Sequence, residues 1–341
     1  MNDQPYDSFY INERSQVGLL KKLLKQLGIK AGLSTYQLAK LDIIASEIAS
    51  NLLKHATPPG QILFREVAQM ANSGIEIIGI DNGPGMQDVS RLMLDGVSTT
   101  STLGTGIGAI RRLSDQFDIY SRPGWGTLLL SRIFKGEYDP SSVDEEIDYA
   151  ALRVPYPGES VCGDGVSYKK EGNTHSFLVT DGLGHGPHAH EASVQAAAAF
   201  QRASATDPSA LIQSVHQSIT HTRGAVGTAL TIKISDQMAE YYGVGNISLR
   251  MIQKNASERG ITAQGILGQN IRQRLSVRTL ACQGHAWLIL HSDGLSEKWK
   301  IENYPGLLGR DLALIAAALY KDHQRGKDDC ALLVIYLKKP V

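Results

Sequence analysis

Cysteine is scarce in this chain, long apolar runs are missing, and neither sign of charge prevails. The three cysteines, Cys162, Cys282 and Cys330, stand too far apart for a disulfide framework or zinc-like spacing. Buried, reduced thiols and a cytoplasmic setting are therefore expected. No apolar run approaches the roughly 20 residues that span a bilayer. The polar start, MNDQPYDSFYINERSQ, carries both charge signs and does not read as a secretory signal. Lys plus Arg and Asp plus Glu balance at 34 each, which leaves no global field to attract nucleic acid or an anionic membrane. What remains is ordinary globular composition, 42% hydrophobic and 20% charged over 341 residues, a length that suits two domains.

The pattern changes midway. The first half reads as helices at 15–28 and 35–55, strands near 61–68 and 74–81, a helix at 105–115 and a hairpin over 117–134. Gly136–Asp148 (GEYDPSSVDEEID) is polar, acidic and interrupted by Pro, the composition of a linker. Beyond it, strand-like runs and paired helices alternate, closing with a helix near 309–322 and a strand at 329–337; this suggests an α+β sandwich. The division expected is residues 1–136, a linker over 137–148, and residues 149–341, each half able to work alone.

Glu47, Asn51 and His55 recur every fourth residue and share one face of a helix. Leu41, Ile44, Ile48 and Leu52 form the opposite, apolar face. An amide oxygen beside a carboxylate and an imidazole suits Mg²⁺ and phosphate: the amide can ligate the metal, and the carboxylate can orient a nucleophile. Asp81-Asn82-Gly83-Pro84-Gly85-Met86 follows a buried strand. The Asp can accept a hydrogen bond from an adenine amino group while the glycines let backbone approach the base. Leu103-Gly104-Thr105-Gly106-Ile107-Gly108 opens a helix and offers free N–H groups to phosphates. It lacks the GK[ST] of a Walker loop and the preceding strand of a dinucleotide site.

In this order the three boxes resemble the Bergerat-fold ATPases, and among them the RsbT-like anti-sigma-factor serine kinases. The likeness covers roughly residues 10–135 and includes DNGPGM…LMLDGVSTTSTLGTGIGAIRRLSDQFDI…GWGT. It implies an α/β sandwich that binds ATP with Mg²⁺: Asn51 on the metal, Glu47 as catalytic carboxylate, Asp81 on adenine. Gly83 and Gly85 would shape the base pocket, Gly104, Gly106 and Gly108 would wrap the phosphates, and Ser98–Thr102 would lie in the lid.

The second half carries four acidic clusters: Gly163-Asp164-Gly165, Asp181-Gly182-Leu183-Gly184-His185-Gly186, Ser292-Asp293-Gly294 and Lys327-Asp328-Asp329. Three of them sit at an end of a strand-like run, where a sandwich can gather distant aspartates on one rim. Clustered hard oxygen ligands call for Mg²⁺ or Mn²⁺ to offset their repulsion. Two such metals can activate water for in-line attack on a phosphate ester. Asp-Gly pairs also simply make turns, and His185, His188 and His190 allow a rival reading as a zinc site.

The order of the clusters resembles the type 2C metal-dependent protein phosphatases, in their SpoIIE- and RsbX-like bacterial branch, over about residues 148–338. That likeness implies an α-β-β-α sandwich holding two Mn²⁺ or Mg²⁺. Asp181 would bridge the metals and take part in catalysis, with the Gly182 carbonyl, Asp164, Asp293 and Asp328 as further ligands. Cys330-Ala331 stands where the family's last motif often has Thr, which leaves Asp328 and Asp329 in competition. No Arg before the first motif stands out for phosphate docking. The resemblances together imply a bifunctional switch acting on a STAS-domain anti-sigma-factor antagonist or a similar phosphoprotein. The alternative is a phosphatase whose N-terminal half senses ATP or binds a partner, and self-association stays open.

Overall fold

The computed structural model describes residues 4–57, 59–69, 72–88, 106–137, 146–253, 256–271, 276–282 and 284–338. Its first part runs β1 (Asp7–Ile11), α1 (Ser15–Lys30), α2 (Thr35–His55), β2 (Gly60–Gln69), β3 (Asn72–Asp81), α3 (Gly106–Leu113), β4 (Gln116–Arg122) and β5 (Gly126–Phe134). The strands form one antiparallel sheet in the order β1-β2-β3-β5-β4. Strand β1 lies in the polar start, where no strand was expected.

Helix α2 opens with a capping box. Ser34 Oγ accepts the Gln37 N–H at 3.3 Å, and Gln37 Oε1 accepts the Ser34 N–H at 2.8 Å, which satisfies two donors that a helix start leaves free. Gln37 also reaches the Phe134 carbonyl at 2.6 Å, fixing the helix to the end of β5. Alternation along the strands then settles which face meets which layer. Ile62, Phe64, Ile75, Ile77 and Leu129 pack under the three helices. Leu63, Ile78, Ile80, Leu128 and Leu130 point to the other side.

The second part contains β6 (Ile147–Val154), β7 (Asp164–Glu171), β8 (Thr174–Gly182), α4 (Pro187–Arg202), α5 (Pro208–Ser218), β9 (Ala225–Lys233), β10 (Met238–Val244), β11 (Ser248–Gln253), β12 (Ala256–Arg259), a short hairpin of β13 (Gly265–Ile266) and β14 (Asn270–Ile271), β15 (Arg278–Ala281), β16 (Ala286–His291), α6 (Leu312–His323) and β17 (Cys330–Leu337). Two five-stranded sheets, β15-β10-β9-β8-β7 and β12-β11-β16-β17-β6, enclose a core that includes Phe177, Leu230, Leu288 and Leu333. Helices α4 and α5 cover the outer face of the first sheet through Phe200, Leu211 and Val215.

Helix α6 does something its position in a linear plan does not announce. Every residue from Leu312 to Tyr320 is buried, as expected of a helix apolar on all sides. One side packs on β6 and β17, the other on β3 and β5, in a single core that joins both parts. Burying each of Leu314, Ile315 and Leu319 contributes about 1.5–3 kcal/mol. The two halves therefore share a core, and either one alone would expose a face that the other covers.

Polar contacts reinforce this seam. Arg132 forms a fork on Asp311, at 2.5 and 3.0 Å, while Asp311 caps α6 through the Ala313 N–H. Glu76, on the same face of the N-terminal sheet, is held by Arg65 at 2.9 Å, by Arg132, and by the Tyr6 hydroxyl. Burial pushes the Glu76 carboxyl up, but Arg132 and Arg65 outweigh it and hold it at about 2.

Candidate functional site

Two sites form, one in each part. In the first, Glu47 and Asn51 are half-buried on α2 and face the start of α3. A methyl group added to Gly106 would sit 2.9 Å from Glu47 Oε2 and 3.5 Å from Asn51 Oδ1. The helix N-terminus, with its free N–H groups, thus rests directly against the acid–amide pair, and Gly108, two residues along, is buried. The Asp81–Met86 box lies at the end of β3, where Asp81 Oδ1 accepts the Gly83 N–H. Gly83 in turn abuts the His55 carbonyl, so His55 meets the box through its backbone while its ring is exposed.

Gly85 has φ +69°, and a Cβ there would lie 1.8 Å from the Arg122 carbonyl oxygen. Only glycine combines that left-handed conformation with that approach. The turn between β4 and β5 clamps the box from outside: Gly124 donates to the Pro84 carbonyl at 2.7 Å, and Met86 to Ser121 Oγ at 2.9 Å. Gly104 and the Ser98–Thr102 segment lie outside the described residues.

In the second site, Asp164 on β7 pairs directly with Asp181 on β8. Asp293 follows β16 and Asp328 precedes β17. Ser292 Oγ donates to Asp164 Oδ2 at 2.6 Å and accepts the Ala331 N–H at 3.0 Å, tying three strand ends together. Asn246 Nδ2 donates to Asp293 Oδ2 at 2.7 Å. Burial, joined by Asp293, Asp328 and Asp329, pushes the Asp181 carboxyl up to about 8. Burial and the neighbouring Asp181 push Asp164 well above the carboxylate range as well. Such mutual repulsion is what a divalent cation relieves, and the donors are the hard oxygens it prefers. Among the described residues no three His, Cys, Asp or Glu side chains close around one point as a ready cage.

Asp328 and Asp329 part company. Asp329 is 2% exposed, and its Oδ1 accepts the Tyr156 N–H at 2.9 Å, so it anchors the 156–163 segment. Asp328 stays at the partly open rim. The histidines disperse: His185 bonds Glu159 at 2.9 Å and stacks on Tyr156, His190 bonds the Cys162 carbonyl, and His188 is exposed. They form no joint metal site. Sequence reading missed the supports Ser292, Asn246 and Tyr156. Ser292 precedes an aspartate already singled out; Asn246 and Tyr156 carry no local signal.

Glycine-lined helix termini beside an acid–amide pair, and an aspartate rim on two packed sheets, define a class: an ATPase module joined to a metal-dependent serine/threonine phosphatase. The histidine kinase-like ATPase family matches residues 12–132, and the stage II sporulation protein E (SpoIIE) family matches residues 171–338. The serine/threonine-protein kinase RsbT of Bacillus subtilis (strain 168) is 34% identical over 127 residues, 37% of this chain and 93% of RsbT. A solved structure described as "The bacterial stressosome: a modular system that has been adapted to control secondary messenger signaling" is similar at 25% identity and TM-score 0.52, covering 56% of this chain and all of that one. The crystal structure of RsbX in complex with magnesium shares the fold at 23% identity and TM-score 0.52, over 57% of this chain and 98% of that one.

The chain belongs to the RsbT family of histidine kinase-like ATPases through its N-terminal part and carries a SpoIIE-type phosphatase domain in its C-terminal part. It thus calls on ATP and on divalent metal ions. No helix among the described residues is long and apolar enough to cross a membrane.

Proposed function

We propose that the chain is a bifunctional switch: its N-terminal site phosphorylates, and its C-terminal site dephosphorylates, serine or threonine on a STAS-type antagonist protein. The observation that carries the reading is the coexistence of both sites on one chain with a shared core, the Glu47–Asn51–Gly106 cluster and the Asp164–Asp181–Asp293–Asp328 rim. At the first, Asn51 would hold Mg²⁺, Asp81 would recognise adenine, and Glu47 would take the proton from the attacking hydroxyl, supported by the N–H groups of α3 for the phosphates. Gly83, Gly85, Gly104, Gly106 and Gly108 would leave room for the nucleotide, and His55 would flank it.

At the second, Asp181 and the Gly182 carbonyl would serve two Mn²⁺ or Mg²⁺, with Asp164, Asp293 and Asp328 completing the protein ligands. Asp328 is favoured over Asp329 because the latter is committed to Tyr156. Bound there, the cations supply Lewis-acid chemistry to a phosphate ester. Ser292 and Asn246 orient Asp164 and Asp293 for that task.

A second reading has its own observation. The turn that clamps the nucleotide box also touches α6: Trp125 Nε1 donates to Asp322 at 2.7 Å, and Lys321 donates to the Trp125 carbonyl at 2.9 Å. Residues 324–329 then lead to the metal rim, an arrangement suited to ATP sensing by the phosphatase. The deciding experiment gives radiolabelled ATP and a candidate STAS-domain protein to the full-length Asp181→Asn variant. Label transferred to serine or threonine supports the switch. ATP binding without transfer favours the sensor.

A further inference from the structure

A groove joins the metal rim to the edge of the N-terminal sheet. Strand β1 is the end strand of that sheet and pairs on one side with β2. Facing its other side runs the segment from Val154 to Ser160, and the two converge where the Tyr6 N–H bonds the Arg153 carbonyl at 2.7 Å. Between them lies a cavity of about 490 Å³ whose walls include Asp7, Tyr10, Tyr156, Glu159, Gly294 and Asp328. The volume is that of a ligand site rather than a packing defect. Asp328, one of the residues that would hold metal, is among its walls with Gly294, the neighbour of Asp293, so the cavity adjoins the proposed metal site.

The groove has a firm floor and an open edge. Gln61, itself buried, donates from Nε2 to Ser8 Oγ at 2.8 Å and lies 3.2 Å from the hydroxyls of Tyr10 and Tyr320. This fixes β1 to α6. Yet Asp7 and Ser8 are exposed, and Tyr10 is 46% exposed. An end strand five residues long offers about 16 Å of backbone, a template for adding another strand. Among the described residues the carboxylates lining the groove are Asp7, Glu159 and Asp328, beside the neutral Tyr6, Tyr10, Tyr156, Tyr320 and Cys330 and with no Lys or Arg; Lys30 faces Asp7 from α1 and His185 pairs with Glu159.

We propose that this groove docks an extended segment of the phosphoprotein substrate. The segment lies along β1 as an added strand, its phosphoserine or phosphothreonine at the Asp328 end and neutral or basic residues flanking it. The proposal rests on the phosphatase reading and adds to it that the kinase-like half supplies part of the phosphatase's substrate site.

The test uses the full-length protein with Mn²⁺, two phosphoserine peptides of about a dozen residues, one Lys-flanked and one Glu-flanked, and para-nitrophenyl phosphate. The Lys-flanked peptide should show about tenfold higher kcat/KM than the Glu-flanked one, as charge complementarity requires. Asp7→Lys should erase that preference. Tyr10→Ala should lower kcat/KM for both peptides, through KM, about tenfold relative to the aryl phosphate. Equal rates for the two peptides, with peptide-to-aryl ratios unmoved in both variants, would overturn the docking while leaving the phosphatase reading intact. A stable dimer that Tyr10→Ala dissociates would also overturn it, because a second copy would then occupy the edge. No Mn²⁺-dependent hydrolysis of any of the three substrates would remove the phosphatase reading itself, and the docking with it.

Discussion

The nucleotide pocket is assembled from missing side chains, whereas the aspartate rim is assembled from side chains that repel one another. Gly83, Gly85 and Gly106 are places where backbone or a functional group occupies the space a Cβ would take. Specificity there is a matter of shape, set before any ligand arrives. At the rim, Asp181 is driven up to about 8 by burial and by Asp293, Asp328 and Asp329, so the site is unfinished until a cation balances it. The first site should fail by obstruction and the second by loss of charge. The seam around α6 decides whether either can fail alone.

The largest effect should come from the rim. Asp181→Asn in the full-length protein should cut Mn²⁺-dependent phosphoserine hydrolysis on the order of a thousandfold, since several kcal/mol of charge stabilisation go with it. ATP binding, measured by calorimetry, should persist; its loss would show the sites are not separable.

The seam comes next. Glu76→Gln removes the carboxylate that Arg65 and Arg132 share, though both keep other contacts, and should destabilise the protein by about 3–5 kcal/mol at neutral pH, read as one cooperative calorimetric transition shifted downward. Two transitions would contradict the shared core. The sign with pH follows from the lowered value of Glu76. Its contribution is fully present above the ordinary 4.5 and is lost as pH falls through about 2, because the unfolded chain binds the proton first. The gap in Tm between wild type and Glu76→Gln should therefore narrow across that acid window.

Obstruction is tested at Gly85. Gly85→Ala meets both a left-handed backbone and the Arg122 carbonyl and should cost roughly 2–4 kcal/mol of ATP affinity or stability together. Gly124→Ala, with φ +74° but nothing within 4 Å, should lose only the strain, about 1–2 kcal/mol. Equal losses in thermal melts would mean the close approach at Gly85 is irrelevant. A loss of similar size is expected from Asp81→Asn, which should weaken ATP by about 1–3 kcal/mol as one buried hydrogen bond is mismatched. Isothermal calorimetry against wild type measures it.

The sequence reveals both sites better than the way they are joined. Motifs such as Asp81–Met86 and Ser292–Gly294 combine chemistry and turn geometry in a few neighbouring residues, so they can be read locally. The helix from about Thr35 to His55 was legible because Pro58-Pro59 stops it, while its capping serine, Ser34, appears in the structure. By contrast, β1 hides in a polar start, since an end strand needs apolar residues on one face only, and Phe9 and Ile11 make a weak signal. The different surroundings of Asp328 and Asp329 depend on the Tyr156 amide, 173 residues away in sequence. The run LALIAAALY announces a helix without a polar face, but no spacing rule says that its second face belongs to the other half of the chain.

That helix also sets a timetable. The N-terminal sheet is complete once Phe134 has been made, but Leu312, the start of its cover, is roughly 180 residues further on. At about 5–20 residues per second of synthesis, the face bearing Leu63, Ile78, Ile80, Leu128 and Leu130 waits on the order of ten to forty seconds for its partner. During that interval the nascent chain displays an apolar sheet face that the finished protein never does. Its hazard of aggregation therefore falls mainly at birth, and slowing translation before residue 312 should lower soluble yield even though the folded protein is unchanged.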